Sequence, residues 1–308
     1  MNFRNSIAVV LASSVLIAGC ARQPADYTPL YGSSPAVPNS IPQYSFGVPA
    51  IHHARSLWDR YALLIEALNR GSAGFTVKLE SAQTPDTYDA KLRGRVFDFA
   101  IVDPYQVLVA ENLGYAVIAR TGRPDRISGV IVTSRQDDLH RVADLRGRSI
   151  AFTNSTALAA TLLNEYGLRE NGLDVRKQAT VLYTHSPETS LLSVSIKRVD
   201  AAAVSLADWE GFGRDHPASA AQLTLLWQSD NLSGPAVMAS GSIPPAHVQS
   251  LRTALTQHGA QPNGREALHS AGISEFEPGD SVSYDDVWDF LQRYRRALGP
   301  LPDRMVAR

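Results

Sequence analysis

Three short stretches place hydroxyl, amide, imidazole and carboxyl groups beside residues that open helices. The first is Asp103-Pro104-Tyr105. Proline suits a first helical turn, and the free backbone N–H groups there attract anions. Tyr105 adds a phenolic donor, and Asp103 either caps the helix or meets a ligand. The second is Thr153-Asn154-Ser155-Thr156, whose short side chains either cap a helix or, with its free amides, form an anion cradle. The third is Thr184-His185-Ser186-Pro187, in which His185 can donate to an anionic oxygen or stand as a lone surface histidine. Asp200 closes Lys197-Arg198-Val199-Asp200, and either accepts from a cationic or protonated ligand group or pairs with Arg198. Such groups suit reversible capture of a small anion.

His185, Asp200 and Asp103 could also act as acid and base. The chain has no Gly-x-Ser-x-Gly elbow, His-Glu-x-x-His pair or glycine-rich phosphate loop, so catalysis is not expected. His52 and His53 are adjacent and point apart, a poor geometry for metal binding. No cofactor or metal is expected.

These groups need a scaffold that gathers strand ends. Strands are expected at 44–48, 75–79, 97–102 and 115–119, with helices at 54–69, at 85–92 and from Pro104. Leu57, Tyr61, Leu64, Ile65 and Leu68 carry the helical spacing that Gly71 stops. This alternation predicts a largely parallel sheet covered on both faces. After a strand at 129–133 the pattern restarts: strand 149–152, helix 156–166, strand 179–183, helix 187–196, strand 201–204 and a helix around Asp208. Strands at 223–228 and 236–240 precede mostly helical sequence ending at Leu298. Two α/β units joined by two extended crossings account for this order, with the C-terminal helices completing the first. A single large doubly wound sheet is the other solution. On the two-unit plan, 43–130 with 232–308 form lobe 1 and 131–231 form lobe 2.

The chain start predicts a location. Arg4 precedes an apolar run over 7–18 that Ile17-Ala18-Gly19-Cys20 closes, too short to stay in a bilayer. Residues 1–19 are expected to be a cleaved leader, Cys20 a lipid-modified first residue, and 20–42 a flexible tether. Cys20 is the single cysteine, so no intramolecular disulfide forms. Ala21 is not the aspartate associated with inner-membrane retention, which favours the outer membrane if the cell is Gram-negative. With 29 Lys+Arg against 30 Asp+Glu, nothing points to nucleic acid. The expected body is a monomer.

Asp98-Phe99-Ala100-Ile101-Val102-Asp103-Pro104-Tyr105 resembles the segment ending in Gly-Pro-Tyr in solute-binding proteins for phosphate, phosphite and phosphonate uptake. Asp144-Leu145-Arg146-Gly147-Arg148 resembles that family's Asp-Leu-Lys-Gly-Lys stretch, His185 stands where it has a Ser-His pair, and Val199-Asp200-Ala201-Ala202 is similar to its Val-Asp-Ala segment. The resemblance runs from about Tyr44 to Met238. It implies a type II periplasmic-binding-protein fold, two α/β lobes with a ligand cleft and hinge strands. It also implies capture of a small oxyanion or phosphonate, read by an inner-membrane ABC permease or, alternatively, by a sensor kinase or cyclase. The site residues it implies are Tyr88, Tyr105, Ser128, Ser155, Thr156, His185 and Asp200, to which the chemistry of the loops adds Asp103 and Asn154. Asp103 replaces a glycine, and without a gap Ala157, Leu158 and Ala159 occupy the family's Ser-Thr-Ser positions; with a short deletion, Ser155 and Thr156 take those roles.

Overall fold

The computed structural model describes residues 41–49, 54–122, 125–259 and 262–301. The expected leader, Cys20, nearly all of the tether, and His52 with His53 lie outside them. The chain runs β1 (Gln43–Gly47), α1 (Ala54–Gly71), β2 (Thr76–Glu80), α2 (Pro85–Arg93), β3 (Phe99–Val102), α3 (Pro104–Glu111) and β4 (Tyr115–Thr121). It crosses to β5 (Gly129–Ser134), β6 (Ser149–Phe152), a π-helical turn (Leu158–Leu163) continuing as α4 (Asn164–Glu170), α5 (Val175–Gln178), β7 (Thr180–Tyr183), α6 (Pro187–Ser195) and β8 (Ala201–Ser205). Next come α7 (Leu206–Asp215), α8 (Pro217–Ala220) and β9 (Leu223–Gln228). The chain then returns through β10 (Ala236–Ser240), α9 (Pro245–His258), α10 (Pro262–Ala271), β11 (Phe276–Glu277) and α11 (Asp285–Leu298). No helix of the described residues is long and apolar enough to cross a membrane.

Two mixed sheets result. The six-stranded sheet has the order β11-β4-β10-β3-β1-β2, and the five-stranded sheet β7-β6-β8-β5-β9. In the first, β1 pairs in parallel with β2 and β3, while the returning β10 inserts antiparallel between β3 and β4. In the second, β6 pairs in parallel with β7 and β8, and the incoming β5 is antiparallel to β8 and β9. Each lobe thus receives one strand that has just crossed from the other. The crossings touch through reciprocal backbone bonds between Ile127 and Leu232, at 3.0 and 2.8 Å.

The strand interiors are continuous apolar runs because helices cover both faces: Phe99, Val102, Val130, Val132 and Ala201 to Val204 are inaccessible to water. α1 packs Leu57, Leu64, Ile65 and Leu68 on one face of the first sheet, with Phe75, Leu251 and Leu268. Each such fully buried large side chain stabilises the fold by about 1.5–3 kcal/mol relative to exposure.

The expected helix over 156–166 starts late and loosely. Asn154 Oδ1 accepts from Thr156 N–H at 2.8 Å, and Thr161 Oγ1 donates back to the Asn154 carbonyl, holding 154–156 as a turn. Buried Asn164 Nδ2 donates to the Ala160 carbonyl of the π-turn at 2.9 Å and to the Val204 carbonyl of β8 at 3.1 Å, joining the two. Gly129 makes room for this, since a Cβ there would lie 2.5 Å from the Ala159 carbonyl. Single π-turns inside helices occur frequently at functional sites.

Candidate functional site

Parallel strands β1, β2 and β3 end on one edge of the first sheet, and β6, β7 and β8 end on one edge of the second. Open α/β folds take ligands at such edges. In lobe 1 the edge carries Asp103 at the head of α3. Gln106 Oε1 accepts from the Asp103 N–H at 2.8 Å, which fixes the first turn. The Gln106 amide then donates to Asp89 of α2, and the Tyr105 hydroxyl donates to the same carboxylate at 3.2 Å. The Tyr88 hydroxyl donates to the Ile101 carbonyl at 2.6 Å. The donors expected to face an anion are therefore committed inside lobe 1, and Tyr88 and Tyr105 are buried.

Asp103 keeps accessible surface, yet protein surrounds it closely enough that desolvation, and then the negative charge of Asp89, raise its pKa to about 6. Burial first and the Asp103 charge second raise the Tyr88 phenol in turn. The lobe 1 half of the site presents acceptors and latent negative charge.

The lobe 2 half gathers residues that lie far apart in sequence. The His185 N–H donates to the Thr153 carbonyl at 2.9 Å, tying the loop after β7 to the loop after β6. His185 adopts φ 61, the left-handed region that non-glycine residues seldom enter, and its side chain is exposed. Ser186 caps α6 by accepting from Thr189 N–H at 3.4 Å. Ser128 reaches the same edge from the first crossing, its buried hydroxyl accepting from Gln228 Nε2 at 3.4 Å. Asp208, on the first turn of α7, has its pKa raised by burial although Ser205 hydrogen-bonds it.

The structure does not bring every expected residue to this place. Asp200 lies at the opposite edge of the second sheet, beside the start of β6. Its carboxylate accepts from Ser149 N–H at 2.8 Å, Ser149 Oγ at 2.6 Å and Arg148 at 3.1 Å. Burial alone would raise its pKa, but the Ser149 bonds and Arg148 charge lower it. Lobe 1 contains the same clasp, in which Asp98 accepts from Ser45 N–H at 2.8 Å and Ser45 Oγ at 2.9 Å. A repeated device of this kind ties first strand to third and is structural.

Ser155 is exposed and faces a cavity of about 600 Å³ shared with Glu165, Arg176, Tyr183 and Leu301. From lobe 2, the buried side chains in the same apolar cluster as Tyr88 and Tyr105 are Leu158, Leu162 and Leu163. Asn154 and Thr156 hydrogen-bond each other at the turn. Asp89, Gln106 and Asp208 also stand at these strand ends, although no sequence motif marks Asp89 or Asp208. The Asp103-x-x-Gln106 spacing, a capping-box pattern, was the available signal for Gln106.

Residues 46–284 match the family model described as ABC transporter, phosphonate, periplasmic substrate-binding protein. The chain belongs to this family. Its members are binding components of ABC transporters, not enzymes, and work outside the cytoplasmic membrane with an ABC permease. This binding protein is similar in fold to PhnD1 from Prochlorococcus marinus, solved with methylphosphonate, with a TM-score of 0.70 and 16% identity over 83% of this chain and 100% of that one. A binding-protein component of an ABC phosphonate transporter from Pseudomonas aeruginosa gives 0.68 and 17% over 83% and 88%. XAC2383 from Xanthomonas citri, in a structure with chloride, gives 0.69 and 19% over 83% and 98%. Among curated proteins none matches the sequence. The type II binding-protein fold of the binding protein is thereby established, with two α/β lobes and the hinge crossings between them.

Proposed function

We propose that this binding protein captures a small oxyanion or phosphonate between its lobes and delivers it to an ABC importer, while Cys20 holds it to the membrane by a lipid. The lobes divide at the two crossings. The observation that carries this reading is the joined pair of loops at the lobe 2 edge, where the His185 N–H fastens to Thr153 and the imidazole is left exposed. On this reading the His185 imidazole and the Asn154 amide group supply the donors from lobe 2, and Asp103 meets the ligand from lobe 1. A carboxylate in that position favours a ligand that arrives with a proton over one carrying two full charges. No covalent step is required.

A thermal-shift panel of phosphate, phosphite, methylphosphonate and small carboxylates tests the reading. A ligand at a hundred times its dissociation constant should stabilise the protein by about 2.7 kcal/mol. His185→Ala should lose most of that shift while melting at the parent temperature without ligand. A flat response across the panel would remove the oxyanion assignment.

The anchor is tested separately. Cys20→Ser should move the protein wholly from the membrane fraction to the soluble periplasmic fraction, with ligand affinity unchanged. A single acyl chain binds membranes only marginally, whereas a multiply acylated terminus anchors firmly, so the redistribution should be complete. Persistent sedimentation with membranes would show another means of attachment.

A further inference from the structure

We propose that α11 is a strap fixing the angle between the lobes, and that Glu165, Arg176 and Tyr294 form its latch. At its start, α11 grips both crossings. Asp286 accepts from Arg126 of the first crossing at 2.8 Å, and from Ser233 N–H of the second at 2.8 Å. Arg126 also donates to the carbonyls of Asn231 at 3.2 Å and Leu232 at 3.3 Å. Just before the helix, Ser233 Oγ donates to the Ser283 carbonyl at 2.8 Å and the Tyr284 hydroxyl to the Gly234 carbonyl at 3.2 Å. The hinge is thus bound to this one helix.

Farther along, α11 rests on lobe 2 as well as on lobe 1. Phe290 meets Tyr166 edge-on at 5.6 Å between ring centres. The Tyr294 hydroxyl donates to buried Glu165, while Arg176 donates to the Glu165 carboxylate at 2.9 Å, to the Tyr294 oxygen at 2.8 Å and to the Leu298 carbonyl at 3.2 Å. Burial opposes the Arg176 charge, but the Glu165 bond and charge more than offset it and raise its pKa. Burial, then the Glu165 bond, also raise the Tyr294 phenol. One apolar cluster contains Val287, Phe290, Leu291 and Tyr294 of α11 together with Leu158, Leu162 and Leu163 of lobe 2.

Lobe 2 cannot turn about the crossings without sliding α4 past the second half of α11. A cavity of about 350 Å³ lined by Tyr166, Gly167, Trp227, Phe290 and Arg293 leaves room for that slide. A buried ionic contact adds little net stability but in some proteins fixes one arrangement over its neighbours, and packed interfaces switch between discrete arrangements. The latch therefore selects one lobe angle in the ligand-free protein.

Spin labels at Glu66→Cys on α1 and Glu210→Cys on α7, in the full chain carrying Cys20→Ser, report that angle by pulsed dipolar spectroscopy. The ligand-free parent should give one narrow distance peak. Tyr294→Phe and Glu165→Gln, each checked by thermal melting, should broaden or displace it, whereas Asp289→Asn on the exposed side of α11 should not. Distributions superimposable on the parent in both latch variants would overturn the strap. Equal broadening by Asp289→Asn would do so as well, because the effect would then belong to the helix surface and not to the latch.

Discussion

Asp103→Asn is expected to bind an anionic ligand about tenfold more tightly than the parent at pH 7, and no differently at pH 5. In the ligand-free protein the Asp103 carboxyl titrates at about 6. An anion placed against it is accommodated by the protonated form, so above that value each binding event must take up a proton. If only the protonated form binds, the parent falls behind the variant by a factor of about 1 + 10^(pH − 6), which is about eleven at pH 7 and about one at pH 5. Titration of the ligand itself cancels in the ratio of the two proteins. Calorimetric dissociation constants at pH 5, 6, 7 and 8 measure it. A ratio independent of pH would place Asp103 away from the ligand.

Stability moves with the same group, and its sign is fixed. The folded pKa is raised above the unfolded carboxylate value of 3.8, to about 6, so the native state holds this proton more tightly than the unfolded chain. The stability this gives is complete below 3.8 and is lost as pH rises through about 6. Full conversion of the shift would be about 3 kcal/mol, but the carboxyl touches solvent and screening reduces it to about 1 kcal/mol. Asp103→Asn should therefore melt higher than the parent above pH 6, in melting curves without ligand.

Arg176→Ala should be the most destabilising single substitution considered for lobe 2. Glu165 has 5% of its surface exposed and shares its carboxylate between Arg176 and Tyr294. Removing the guanidinium leaves a buried carboxylate with one neutral donor, the situation in which a broken buried pair costs about 3–5 kcal/mol. Because the Arg176 side chain is itself 47% exposed, water enters the vacated space and the expected loss is about 2–3 kcal/mol. Glu165→Gln with Arg176→Ala should recover part of it, since the uncompensated charge is then gone. Denaturant midpoints of the single and double variants measure this, and a loss under about 0.5 kcal/mol for Arg176→Ala would show that the pair is solvated.

Alternating apolar runs, glycine stops and helix-opening prolines determined the element order of the two lobes, because the periods of strands and helices are local properties of the chain. The same local chemistry marked 103–105, 153–156 and 184–187 as loops at helix starts, and the folded chain joins the last two through His185 and Thr153. Sequence could not tell a ligand carboxylate from a structural one. Asp103 and Asp200 look alike in the chain, yet desolvation raises the pKa of the first while the second closes a serine clasp that Asp98 repeats in lobe 1. Nor could it show that Tyr105 and Gln106 would turn their donors toward Asp89, or that Glu165 and Tyr294 would meet across 129 positions. Those outcomes depend on which elements come to lie side by side, a matter of long-range packing that no local period records.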